Sequence, residues 1–133
     1  MNAIVRGDEC RIKPTPTWMR ENLAILRTGS RSDERFVCLI RGPEDQLNVL
    51  SEQDGFVLEW YCGTRGGALV AYREGEGQDH RPQRRKGFFA GMLSGPRMVL
   101  GSRFSLEAAA TVLDAYVGGA DDFPALHWKP LYR

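Results

Sequence analysis

The chain has 133 residues, 42% hydrophobic and 26% charged, and its 18 basic and 17 acidic side chains leave a formal charge of +1. That size and balance predict one globular domain over residues 1–133 with a sizeable core, and the near-neutral charge argues against a dedicated nucleic-acid domain, which carries a basic excess. No apolar run approaches the roughly 20 residues that span a bilayer. The opening residues also lack the apolar segment of a secretory signal, so no membrane is expected and the setting is cytoplasmic.

In chain order, residues 3–6 read as a short strand, and the rest of residues 1–14 as irregular. Thr15 followed by Pro16 marks a helix start, because proline suits the first helical position. Trp18, Met19, Leu23, Ile25 and Leu26 give that helix an apolar surface as far as Arg27, and Gly29 with the polar residues after it ends it. RFVCLIRG is rich in β-branched and aromatic residues and predicts a strand covered on both faces. Cys38 within it reads as a small buried hydrophobe; the odd, widely spaced Cys10, Cys38 and Cys62 match no disulfide or metal framework.

A turn over residues 42–45 leads to a strand in QLNVLSE, and Asp54-Gly55 is a strong turn signal. FVLEWYC alternates: Phe56, Leu58 and Trp60 share one face, while Val57, Glu59 and Tyr61 share the other. A glycine-rich turn through Gly67 returns the chain in ALVAYRE, the second arm of a hairpin. Residues 75–87 read as an exposed charged loop, and residues 88–93 and 97–101 as two further strands. The segment from Ser105 predicts a capped amphipathic helix, with Ser105 as N-cap, Glu107 at the positive end of the dipole, and Gly118-Gly119 as the stop. Asp121 and Asp122 then turn the chain into a short aromatic strand over residues 123–128.

Brief turns between successive strands favour antiparallel pairing, since parallel neighbours need long crossovers. The expected fold is therefore α+β. It is an antiparallel meander sheet of five or six strands, with an N-terminal and a C-terminal helix packed on one face and a short C-terminal strand.

Catalytic signatures are weak. His80 and His127 have no metal-ligand spacing around them, so no metal or cofactor is expected. Cys62 with His80 could in principle make a thiolate–imidazole pair, but the sequence gives it no third orienting group. Gly63-Thr64-Arg65-Gly66-Gly67 is neither a P-loop nor a dinucleotide fingerprint. The reading is of a protein that is not an enzyme.

The order of elements resembles a known family. A glycine at 101, a helix from Ser105 ending with aromatic Tyr116, a polar turn, and Leu126-x-Trp128 resemble the close of the type-one immunity proteins of bacterial polymorphic toxin systems. The DGFVLEWYC and GALVAYREGEG stretches resemble that family's central hairpin and following loop, so the likeness runs from about residue 17 to 129. It implies a protein partner, the C-terminal domain of a cognate toxin. The toxin group implied is the nucleic-acid deaminases, inhibited by covering of the substrate cleft.

Such a protein needs a rigid scaffold and a complementary patch. Glu74, Glu76 and Asp79 are the first candidates as mimics of nucleic-acid phosphate, and Arg81, Arg84 and Arg85 beside them are candidate contacts. Glu59, on the solvent side of its strand, is the remaining candidate. The alternative is a small nucleic-acid-binding or regulatory module using the basic cluster of Arg81, Arg84, Arg85 and Lys86.

Overall fold

A computed structural model describes residues 1–31, 34–73, 101–123 and 126–131. They form one antiparallel sheet from β1 (Asn2–Val5), β2 (Asp8–Arg11), β3 (Phe36–Gly42), β4 (Asp45–Glu52), β5 (Gly55–Cys62), β6 (Gly67–Arg73) and β7 (Leu126–Pro130), in the spatial order β2-β1-β3-β4-β5-β6-β7. Two helices, α1 (Pro16–Leu26) and α2 (Leu106–Val117), pack on one face and on each other. The α+β meander is as the sequence predicts, with seven strands among the described residues.

Both helices start where their caps dictate. The Thr15 hydroxyl accepts the Trp18 N–H at 3.1 Å, with Pro16 at the first helical position. In the same way the Ser105 hydroxyl accepts the Ala108 N–H at 3.1 Å. The end of α2 has the two backbone bonds of a Schellman motif, Gly119 N–H to Tyr116 O and Ala120 N–H to Ala115 O. Gly119, at φ +92°, is the residue that takes the left-handed conformation there, whereas Gly118 keeps a negative φ.

The alternation in β5 resolves as read. Phe56, Leu58 and Trp60 are buried with Met19, Leu23 and Leu26 of α1 and Ala109, Leu113 and Tyr116 of α2. Val57, Glu59 and Tyr61 face the other way. Val57 joins Val70 and Leu131 in a second, smaller apolar cluster on the helix-free face.

Four expectations need correction. Residues 8–11 are not irregular: β2 pairs with β1 from Val5↔Asp8 to Asn2↔Arg11 around a two-residue turn, Arg6 (φ +53°) and Gly7 (φ +82°). Asp45 belongs to β4, paired with Gly42, so only Pro43 and Glu44 lie in that loop. The last strand is Leu126–Pro130, shifted toward the C-terminus because its register follows β6 from Arg73↔Leu126 to Leu69↔Pro130. Gly101 is in no strand, and the rest of the two strands expected between β6 and α2 lies outside the described residues.

Residues 101–104 instead slot against the sheet where β5 and β6 part. Direct β5–β6 pairing runs from Cys62↔Gly67 to Glu59↔Val70. Beyond it, Ser102 N–H donates to Ala71 O at 3.0 Å, and Phe56 and Phe104 exchange two backbone bonds at 2.8 Å. A Cβ on Gly101 would lie 2.5 Å from Val70 Cγ2 and 2.9 Å from Ala71 O, so this close approach requires glycine.

Candidate partner-binding face

Two groups of polar side chains lie against the sheet, one on each face. On the helix side, a β-bulge at Arg41 and the first residue of β4, Asp45, meet the end of α2. Asp45 Oδ1 accepts from Trp60 Nε1 and from the Tyr116 hydroxyl, both at 2.8 Å, and Oδ2 accepts from Arg41 Nε at 2.6 Å. Arg41 also donates to Tyr116 O at 3.1 Å, Ala120 O at 2.8 Å and Asp121 Oδ1 at 2.7 Å, and its guanidinium stacks 4.2 Å from the Tyr116 ring centroid.

Those donations reach Tyr116 O in the last turn of α2 and Ala120 O just past it, and set a cation at the negative end of the helix dipole. Burial alone would raise the Asp45 carboxyl, but hydrogen bonds from Trp60, Arg41 and Tyr116 outweigh it and hold it below its ordinary range. Burial, reinforced by the bond to Asp45, pushes the Tyr116 phenol far up. A phenol held protonated against a saturated carboxylate is a poor base or nucleophile; the arrangement is a clamp between β4 and α2.

Among the described residues the opposite face carries no helix. Cross-strand register places Glu9, Ile4, Cys38, Asn48, Glu59, Val70 and Lys129 in one row across all seven strands. Beside Glu59 on β5, Tyr61 is exposed at 43% and pairs with Gln46 and Ala68. At the β6–β7 side, Tyr72 stacks on His127 at 5.2 Å, and the Lys129 ammonium sits 4.2 Å from the Tyr72 ring centroid. Cys38 Sγ donates to Gln46 Oε1 at 3.5 Å; burial, with the Glu9 charge adding to it, raises this thiol to about 11. Asn48 Oδ1 is buried with no hydrogen-bond partner among the described residues, next to Glu59 in the row.

Glu59 is thus the one sequence-predicted contact that the structure describes, half-buried at the centre of this face. Glu74, Glu76, Asp79, Arg81, Arg84 and Arg85 lie outside the described residues, as does His80. His127 is exposed on β7, and no group of three or more metal-ligating side chains occurs among the described residues.

Sequence reading missed Asn48, Tyr72 and Lys129 as neighbours on this face. Alternation gives each strand's faces, but only register joins them, and the β6–β7 register joins residues far apart along the chain. No family model, curated protein or solved structure matches this chain.

Proposed function

We propose that the protein is an immunity protein, one that binds a cognate toxin domain of the nucleic-acid deaminase group and blocks its substrate cleft. One observation carries this reading. The two stretches that resemble the immunity proteins, the central hairpin and the ending, meet in a single aromatic cluster. Trp60 of the hairpin lies 6.4 Å from Tyr116, 5.5 Å from Phe123 and 5.3 Å from Trp128, ring centroid to centroid and edge to face. Tyr116 and Trp128 are the positions that match the family's helix-terminal aromatic and Leu-x-Trp strand.

The same strand that buries Trp60 turns Glu59 and Tyr61 to the helix-free face. A charge beside an exposed tyrosine on a rigid sheet is the composition of an interface anchor, and charge complementarity then selects the partner.

The test is co-purification with the toxin C-terminal domain encoded beside the gene, with toxicity scored in cells that carry or lack this chain. A stable complex and rescued growth are expected, and both should weaken in Glu59→Lys and Tyr61→Ala variants. Absence of both complex and rescue rejects the proposal; steeply salt-dependent binding of single-stranded nucleic acid would then favour the basic-cluster module.

A further inference from the structure

Among the described residues β2 ends the sheet, and all four of its residues, Asp8, Glu9, Cys10 and Arg11, are exposed. Ile12 N–H donates to Met1 O at 2.9 Å, so the antiparallel alternation turns the backbone groups of Ile12, Cys10 and Asp8 toward β1. The N–H and C=O groups of Glu9 and Arg11 consequently point outward from the sheet edge. Their side chains share the helix-free face, since they pair with Ile4 and Asn2, while Cys10 pairs with Ala3 on the helix side.

An exposed edge is a template for another strand, and edge charges ordinarily discourage that pairing. Here the charges choose a register. Two copies of β2 related by a two-fold axis can join only with outward-facing residues opposite one another. Glu9 opposite Glu9, or Arg11 opposite Arg11, sets like charges together. The register between them sets Glu9 opposite Arg11 of the second copy twice, and brings the two Cys10 residues together at the axis in a non-hydrogen-bonded pair.

We infer that β2 is a self-pairing edge, through which a second copy of this chain docks antiparallel with two reciprocal Glu9–Arg11 ion pairs flanking Cys10. Four backbone hydrogen bonds form across the axis, two for each Glu9–Arg11 pair. Past Arg11 the chain leaves the edge, because Ile12 packs into the main core and Thr15 caps α1. So short a ribbon buries far less than the ~1,000 Å² of a lasting interface. The association is therefore weak and rises with protein concentration.

Cys10 supplies the readout. Non-hydrogen-bonded antiparallel neighbours lie about 4.5 Å apart at Cα, within the roughly 4.4–6.8 Å that a disulfide spans. Oxidised glutathione is the oxidant: two Cys10 thiols give up two protons and two electrons, one S–S bond forms between them, and the glutathione disulfide leaves as two thiols.

The experiment follows the initial rate of Cys10–Cys10 linkage in the full chain, mapped by mass spectrometry. It is run over a range of protein concentrations for the original sequence, Glu9→Arg, Arg11→Glu and the double exchange. Each single reversal replaces two opposite-charge pairs with two like-charge pairs, so the rate should fall on the order of tenfold, and the double exchange should restore it. Equal rates in all four proteins, singles that the double does not rescue, linkage through Cys38 or Cys62, or no linkage at millimolar protein would each overturn the inference.

Discussion

The Tyr116 hydroxyl donates to Asp45 Oδ1 at 2.8 Å, tying the last turn of α2 to the first residue of β4. Trp60 and Arg41 donate to the same carboxylate, so three half-buried or buried donors depend on one acceptor. Removing an acceptor shared in this way strands its donors, and that desolvation exceeds the worth of any single bond.

Asp45→Asn should therefore destabilise the fold by about 2–3 kcal/mol, whereas Tyr116→Phe, which removes one donor, should cost about 1 kcal/mol. Urea titration of both variants and of the double variant is the measurement, and coupling between the two sites is expected.

Acid should act through the same carboxylate. Its folded-state pKa lies below the ordinary 3.8, so its ionised form contributes stability above that value, and the contribution is lost as pH falls through the folded pKa. The difference in unfolding free energy between the original protein and Asp45→Asn should be constant near neutrality and shrink below about pH 4. A difference that stays level down to pH 2 would contradict this assignment.

The three thiols should separate by reactivity. Cys10 is exposed, Cys38 and Cys62 are buried, and the Cys38 thiol is raised to about 11. Since the thiolate is the reacting form, iodoacetamide at pH 8 should label Cys10 in the folded protein and Cys38 only upon unfolding. Peptide mapping across a urea series tests this, and early labelling of Cys38 in native conditions would refute it.

Two glycine substitutions should differ in severity for different reasons. Gly119→Ala forces a side chain into the left-handed region at φ +92° with open space around it, a cost of about 1 kcal/mol. Gly101→Ala meets Val70 Cγ2 and the Ala71 backbone oxygen, a steric conflict of about 1–3 kcal/mol. Trimming the obstruction with Val70→Ala should relieve part of the second loss and none of the first.

Between the helices, Arg20 bridges Glu107 at 2.8 Å and Asp114 at 3.1 Å. These groups are substantially exposed, so screening should erase most of their attraction. Thermal melts of Arg20→Ala should show a small loss at low ionic strength that disappears near 1 M salt.

What the sequence disclosed depended on how local the cause was. The α2 boundaries follow from Ser105 and the Gly118-Gly119 pair, and the faces of β5 follow from its own alternation. β2 was hidden because Asp8, Glu9, Cys10 and Arg11 have no apolar alternation, and because Arg6, an uncommon residue at positive φ, occupies its turn. Asp45 reads as a turn residue by type; one of its donors, Arg41, is four residues before it, but Trp60 and Tyr116 are remote in sequence. Glu59 was placed on the helix-free side by period alone, while Asn48 and Lys129 in its row required the pairing of other strands. The charged residues 74–86, which supplied six of the seven candidate contacts, lie outside the described residues, so among those candidates only Glu59 is placed.

The wedge of residues 101–104 between β5 and β6 also bears on the order of assembly. β3, β4 and β5 are joined by short loops, so their ladders close small circuits and can form early. The Phe56–Phe104 bridge and the Tyr72↔His127 pair instead join residues far apart along the chain. Those closures carry a larger entropic penalty than the β3 to β6 hairpins, so docking of β7 and of residues 101–104 is expected to come after those hairpins have formed.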